Sequence, residues 1–164
     1  MTDDEKKSHG QPTVESPMDG LEKQLRDMGD RAVIGRVLTE AAWLEGILTR
    51  VLQAHMPEKS NNVLESLYEN GPLSTFSHKI KIARAFGFIP PALAAEIHKI
   101  RAIRNRFAHT DDHLTFKNGE IVKMVAKLDA AQAARPGDAE DAWAGAVIDI
   151  ADQLIKLWRR RVNG

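Results

Sequence analysis

The sequence has no cysteine, no long apolar run and no net charge. Without thiols, a disulfide framework and cysteine-based metal chemistry are excluded. Proteins that bind duplex DNA usually carry an excess of basic residues, and this chain has none, so direct DNA binding is not expected. No apolar run reaches the roughly 18 residues of a membrane helix, and the N-terminus is charged where a signal peptide would be apolar. We therefore expect a cytoplasmic protein with no membrane segment.

The chain divides by composition into a tail and a helical domain. Residues 1–20 combine proline, glycine, serine and charge with few large apolar side chains, which predicts a disordered tail. Over residues 21–164 the apolar positions recur at helical spacing, with almost no strand pattern. This predicts an all-α, single-domain bundle of about seven helices. A short first helix is expected to stop at Gly29, Asp30 to cap the next one, and Pro57 to end it.

Further boundaries follow from capping residues and proline. Ser74 is the expected N-cap of a helix that stops at Gly87, and the following helix carries proline in its first turn. Residues 114–130 are ambiguous. Asn118 and Gly119 are typical of a hairpin turn, whereas the apolar spacing after them favours a helix. We favour the helix.

An arginine interrupts the apolar stripe of the helix that follows Pro90. At helical spacing, Arg104 lies only about 20° from Leu93 around the axis, within the arc of the apolar residues. A guanidinium at such a position needs an ionic partner, a wet cleft or an interface. One interpretation is a buried salt bridge to Glu40 or Glu45 of the long preceding helix. The others are an arginine in a pocket, or one that reaches across a subunit interface towards a ligand or an RNA phosphate.

Arg104, Asn105 and His109 form an R-x4-H pattern with a polar residue after the arginine. This pattern is similar to the motif of HEPN domains, all-α proteins that include many metal-independent ribonucleases. The resemblance implies a homodimer in which two copies of the motif face one cleft. His109 would then act as general base or acid on RNA, Arg104 would stabilise the charged phosphate, and Asn105 would orient both groups.

A wider resemblance covers residues 72–109. The segments "PLSTFSHKIKIARAFGFIPP" and "EIHKIRAIRNRFAH" resemble the mannitol operon repressor (MtlR-like) family. The matching positions are Pro72, Leu73, Thr75, Phe76, Ser77, Lys79, Phe86, Gly87, Ile89, Arg101, Arg104, Asn105, Phe107, Ala108 and His109. Lys79 stands where that family would have arginine, which keeps the charge but not the fork geometry.

The MtlR-like resemblance implies a transcriptional regulator that acts through a protein partner and lacks a recognisable DNA-binding motif. Lys79, Arg101 and Arg104 are then the residues expected to bind that partner or an anion. We rank this function first. A HEPN-type ribonuclease, or an RNA-binding toxin-like protein, ranks second and uses Arg104, Asn105 and His109.

Two other groups of residues favour ordinary structural roles. The segment "HTDDH" from His109 to His113 has metal-ligand chemistry, but so many polar residues in one exit loop are more typical of turns and caps. No metal and no cofactor is therefore expected. A basic cluster on the helix before Gly87 favours a solvated face over an anion or RNA site. Its members are His78, Lys79, Lys81 and Arg84.

Overall fold

The computed structural model describes residues 17–69, 71–109, 113–129 and 138–163, and these residues are helical without any strand. The predicted all-α class is thus confirmed for this part of the chain. Its helices are α1 (Pro17–Ala54), α2 (Asn61–Tyr68), α3 (Phe76–Ala85), α4 (Pro91–Ala108), α5 (Gly119–Val125) and α6 (Ala139–Asn163). None of them combines the length and the apolar character that a bilayer crossing needs. The predicted tail over residues 1–16 lies outside the described residues.

The core joins the central part of α1 to α3, α4, α5 and α6. Helix α4 contributes the stripe predicted from its spacing, and every member is at most 2% exposed: Leu93, Ile97, Ile100, Ile103 and Phe107. Helix α6 contributes Trp143, which is fully buried and donates its indole N–H to Glu40 on α1 at 2.6 Å. Helices α1 and α4 are therefore packed against each other in the middle of the molecule.

The prediction of a helix break at Gly29 is wrong. Helix α1 begins at Pro17, so the last residues of the predicted tail are helical, and it continues through Gly29 to Ala54. Glycine inside a helix costs only about 1 kcal/mol relative to alanine, which 38 residues of continuous helix easily offset. The predicted end before Pro57 is confirmed, since α1 stops three residues earlier.

The α3 boundaries depend on one hydroxyl and one glycine. Thr75, not the predicted Ser74, is the N-cap, and its side chain accepts the backbone N–H of His78 at 3.2 Å. At the other end, Gly87 has a φ of 71°, which a residue with a side chain rarely adopts. The N–H groups of Gly87 and Phe88 return to the carbonyls of Arg84 and Ala83, which is a Schellman motif. The predicted stop at Gly87 is confirmed.

Residues 114–130 contain a helix rather than a hairpin, as favoured from the sequence. Helix α5 begins at Gly119, directly after a turn in which Asn118 Oδ1 accepts the backbone N–H of Thr115 at 2.7 Å. The chain then cannot fold back as two strands about this dipeptide, because Gly119 is already in the first helical turn. Ile121 and Val125 face the core from α5.

Helix α1 has a second apolar face, on the side away from the core. We call it the outer seam, and its residues are Leu21, Leu25, Met28, Ala32, Gly35, Thr39, Trp43 and Gly46. All eight are exposed, and the four large ones have half to two-thirds of their surface accessible. At helical spacing they fall within about 80° of one another, opposite the buried Leu44 and Leu48.

Candidate functional site on helix α4

The R-x4-H pattern occupies the end of α4. The helix is regular through Ala108, and His109 is its C-cap, with its backbone N–H bound to the carbonyl of Asn105 at 3.1 Å. His109 comes five positions after Arg104, so their side chains leave the helix about 140° apart. The His109 side chain is exposed, whereas Arg104 and Asn105 are half-buried. The helix therefore presents the three groups side by side around its last turn rather than on one line.

Arg104 does not form the predicted salt bridge to Glu40 or Glu45. Glu40 accepts the indole N–H of Trp143, and Glu45 binds Lys79 at 2.6 Å. Arg104 instead donates from Nη1 to Asn105 Oδ1 at 3.0 Å. Within the described part of the chain, no carboxylate pairs with its guanidinium. The prediction failed because angular position on α4 does not determine which cation reaches the α1 carboxylates.

Lys79 does not join Arg101 and Arg104 at a common surface. Its side chain is buried, ion-paired with Glu45 and 5.8 Å from the centre of the Tyr68 ring. Burial also raises the pKa of Tyr68 to about 12, so the ring stays neutral beside the ammonium group. The charge of Lys79 is thus used inside the fold. Of the predicted basic cluster, His78, Lys81 and Arg84 remain exposed.

Arg101 carries an unusual buried nitrogen. Its side chain is half-buried, and Nε is inaccessible yet has no hydrogen-bond partner among the described residues. Nearly all buried polar groups in proteins are paired, because an unpaired one keeps its full desolvation cost of about 1–3 kcal/mol. An anion bound by the accessible part of the Arg101 side chain would relieve that cost once Nε turned towards it, because Nε itself is inaccessible in the free protein. The residue is therefore a better candidate for an anion than Lys79.

His98 adds a histidine that the sequence argument did not single out. It lies one turn before Arg101, and its pKa is lowered by burial and by the charges of Arg101 and of Lys81 on α3. The charges of both cations thus act on one imidazole. The signal that would have found it is spacing: His98, Arg101, Asn105 and His109 follow one another at three or four residues.

These four residues form what we call the polar flank of α4: His98, Arg101, Asn105 and His109. Arg104 borders it, and Lys81 approaches it from α3. None of its members is acidic, and none of its cations forms an ion pair with any carboxylate that the structure describes. The polar flank therefore combines an exposed imidazole and an amide with positive charge that no described carboxylate neutralises.

The "HTDDH" segment is only partly described, since Asp111 and Asp112 lie outside the described residues. His113 is exposed and approaches Asp27 and Asp30 of α1 at 3.6 Å each. Over the described ranges, no group of three or more potential ligands has a geometry that could hold a metal ion. His113 thus contacts the start of α1 rather than the polar flank.

Comparison of the chain with protein-family models, with curated proteins and with solved structures finds no significant match. The resemblances to HEPN domains and to the MtlR-like family accordingly stay predictions. The polar flank and the outer seam are the two surfaces that bear on the function of the chain.

Proposed function

We propose that the polar flank of α4 binds RNA and that Arg104, Asn105 and His109 act there as a metal-independent ribonuclease site. The observation that carries the proposal is the buried Nε of Arg101, which lacks an acceptor among the described residues. It belongs to a group of cations that form no ion pair with the carboxylates the structure describes. Phosphate oxygens supply both an acceptor and a negative charge, and guanidinium groups bind them through paired N–H donors. The proposed molecule is a cytoplasmic, single-domain helical bundle, as the sequence predicts.

The chemistry requires one base, one acid and a group that stabilises negative charge. His109 removes the proton from a ribose 2′-OH, and the 2′ oxygen then forms a bond to phosphorus. The bond from phosphorus to the 5′ oxygen breaks, and that oxygen takes up a proton. The products are a 2′,3′-cyclic phosphate and a 5′-OH. Arg104 donates hydrogen bonds to the non-bridging oxygens as charge accumulates, and Asn105 holds its guanidinium in place.

The acid in this reaction is not His98. His98 comes eleven positions before His109, which is about 16 Å along the helix, too far to act on the same phosphodiester. Water or a group outside the described residues would protonate the leaving oxygen. His98 and Arg101 would instead contact the neighbouring phosphates of the strand, so the proposal assigns binding to one end of the polar flank and cleavage to the other.

The test is cleavage of end-labelled single-stranded RNA, with EDTA present, by the wild type and by His109→Ala. We expect the wild type to leave 2′,3′-cyclic phosphate ends and His109→Ala to lose at least a hundredfold in rate with its helix content unchanged. His113→Ala is the matched control, because this nearby exposed histidine faces acidic residues and should keep full activity. Equal rates for both variants, or no cleavage by a large excess of wild type, would refute the assignment.

The second candidate is the MtlR-like regulator that acts through a protein partner. The polar flank would also suit an acidic protein surface, since Arg101 and Arg104 form no ion pair with the carboxylates the structure describes. In that case Arg104→Ala should weaken partner binding, whereas His109→Ala should change little. His109→Ala therefore separates the two candidates, because only the ribonuclease loses its activity in that variant.

A further inference from the structure

Helix α1 is the only described helix whose two opposite faces are both apolar along several turns. Its buried face packs on α4 and α6, while the outer seam is exposed and has no contact partner among the described residues. The seam carries no charged residue between Leu21 and Gly46. Moreover, nearly all of residues 20–32 are exposed, so this stretch lacks the tertiary packing on which protein helices usually depend.

We propose that a second copy of this chain covers the outer seam, with the two α1 helices antiparallel about a two-fold axis between Gly35 and Arg36. The seam is self-complementary about that point. Residues equally distant from it pair as Met28 with Trp43, Leu25 with Gly46, and Ala32 with Thr39. A closed two-fold dimer requires such a match, because the same surface must fit itself.

The sizes of the paired residues support close packing of the two helices. Gly35, Ala32 and Thr39 are small and lie nearest the axis, which lets the backbones approach. Further out, Leu25 of one copy fills the space that Gly46 of the other leaves open. Met28 meets the exposed indole of Trp43, and sulfur–aromatic contacts of this kind are favourable. A parallel arrangement would instead place Gly46 against Gly46 and leave a gap.

Arg36 lies closest to the axis, where two like charges would oppose pairing. Its guanidinium is already drawn away from the seam, to Glu140 on α6 at 2.7 Å and over the Phe116 ring at 5.6 Å. Each copy thus neutralises its own Arg36 within its own bundle. Near the axis, the two copies therefore meet through Gly35 and the aliphatic part of the Arg36 side chain.

The antiparallel arrangement also gives the exposed start of α1 a surface to pack on. Residues 20–32 of one copy lie along residues 39–51 of the other, where α1 is fixed in its bundle. The seam is about 40 Å long and about 10 Å wide. A specific interface needs about 500 Å² or more from each partner; the flat outline of the seam is about 400 Å², and the relief of its exposed side chains adds to that area.

This dimer differs from one in which two R-x4-H motifs share a cleft. Helix α4 packs on the buried side of α1, so pairing over the outer seam leaves the polar flanks of the two copies apart. The inference is therefore independent of RNA cleavage. Loss of the dimer should leave the activity of the polar flank unchanged, and loss of that activity should leave the dimer intact.

The first experiment is sedimentation velocity on the full chain over a range of concentrations. We expect a dimer for the wild type and a monomer for Leu25→Glu. The matched control is Ile148→Glu, since Ile148 on α6 is 65% exposed, against 59% for Leu25, but lies off the seam. Circular dichroism checks that both variants keep their helix content. A monomeric wild type would overturn the proposal, even if the seam binds another protein. A Leu25→Glu variant that remains dimeric would overturn it as well.

The second experiment fixes the orientation and uses the absence of cysteine from the chain. Met28→Cys and Trp43→Cys proteins are mixed and treated with a short bis-maleimide. Antiparallel pairing predicts crosslinks between the two variants and few within either one alone. Efficient crosslinking of Met28→Cys with itself would show a parallel pair and would overturn the proposed axis.

Discussion

The charged residues on the two flanks of α4 differ in whether they form ion pairs. On one flank, Lys99 binds Glu96 and Asp129, and Arg106 binds Glu120 at 2.9 Å. Glu96 is buried and also accepts the backbone N–H of Asp129 at 3.1 Å, which ties the end of α5 and its following turn to α4. On the polar flank, Arg101 and Arg104 have no such carboxylate among the residues described.

Cations that have a carboxylate partner stabilise the fold, whereas cations without one are free to bind a ligand. A cation that serves the fold has its counter-ion in place, as Lys99 does, and hydrogen bonding to Glu96 raises its pKa. Arg101 has no counter-ion among the described residues, and its buried Nε has no hydrogen-bond acceptor there. The same helix thus joins a structural network on one side to the proposed binding surface on the other.

The largest expected effect comes from breaking the paired flank. Glu96→Ala should lower the free energy of unfolding by about 2 kcal/mol, because it leaves Lys99 and the Asp129 N–H without their buried acceptor. Urea denaturation followed by circular dichroism measures the change. Glu120→Ala, which removes an exposed partner, is the control and should cost no more than about 0.5 kcal/mol. Equal losses in the two variants would mean that Glu96 has no special structural role.

The next largest effect is expected from a change at Arg101, which should weaken RNA binding without lowering the stability of the fold. Arg101→Met keeps most of the apolar stem and removes the unpartnered Nε, so we expect the free energy of unfolding to stay unchanged or to rise by up to about 1 kcal/mol. Affinity for single-stranded RNA should fall about fivefold to tenfold, with a shallower salt dependence. Arg106→Met on the paired flank is the control and should bind like the wild type. A destabilised Arg101→Met with normal RNA affinity would assign Arg101 to the fold.

The smallest effect is a titration shift at His98. Its pKa lies below the ordinary value of 6.5, first because of burial and then because of Arg101 and Lys81. The unfolded chain therefore binds the proton more readily, and His98 makes the fold less stable as the pH falls through that value. In Arg101→Met the pKa should rise, although burial keeps it below 6.5, and this loss should become smaller. An NMR titration of the His98 ring measures both proteins. An unchanged pKa would show that Arg101 does not face the imidazole.

Features that depend on one helix at a time were predictable from the sequence. The buried stripe of α4 follows from spacing alone, and the stop at Gly87 follows from the conformational freedom of that residue. Gly29 misled the prediction because glycine permits a helix end without requiring one. Ser74 and Thr75 are chemically equivalent caps, and only the exact register of the chain chooses between them.

Pairings between helices were not predictable in the same way. Helical periodicity does not decide which cation pairs with the α1 carboxylates. Lys79 binds Glu45, whereas Arg104 binds Asn105. The choice depends on how α3 and α4 rotate and shift against α1, which the periodicity of each helix does not fix. His98 was missed for the same reason, since its neighbour Lys81 belongs to a different helix.

The Gly87 turn has an entropic consequence for any ligand of the polar flank. Its Schellman hydrogen bonds and the buried Ile89 connect α3 to α4 through only five residues. Lys81 and His98 stand on the two helices that this turn joins, and the charge of Lys81 acts on the His98 imidazole. If the polar flank binds a strand as proposed, α3 and α4 need not order a loop between them before the first contact forms. Binding would then cost little conformational entropy in this part of the protein.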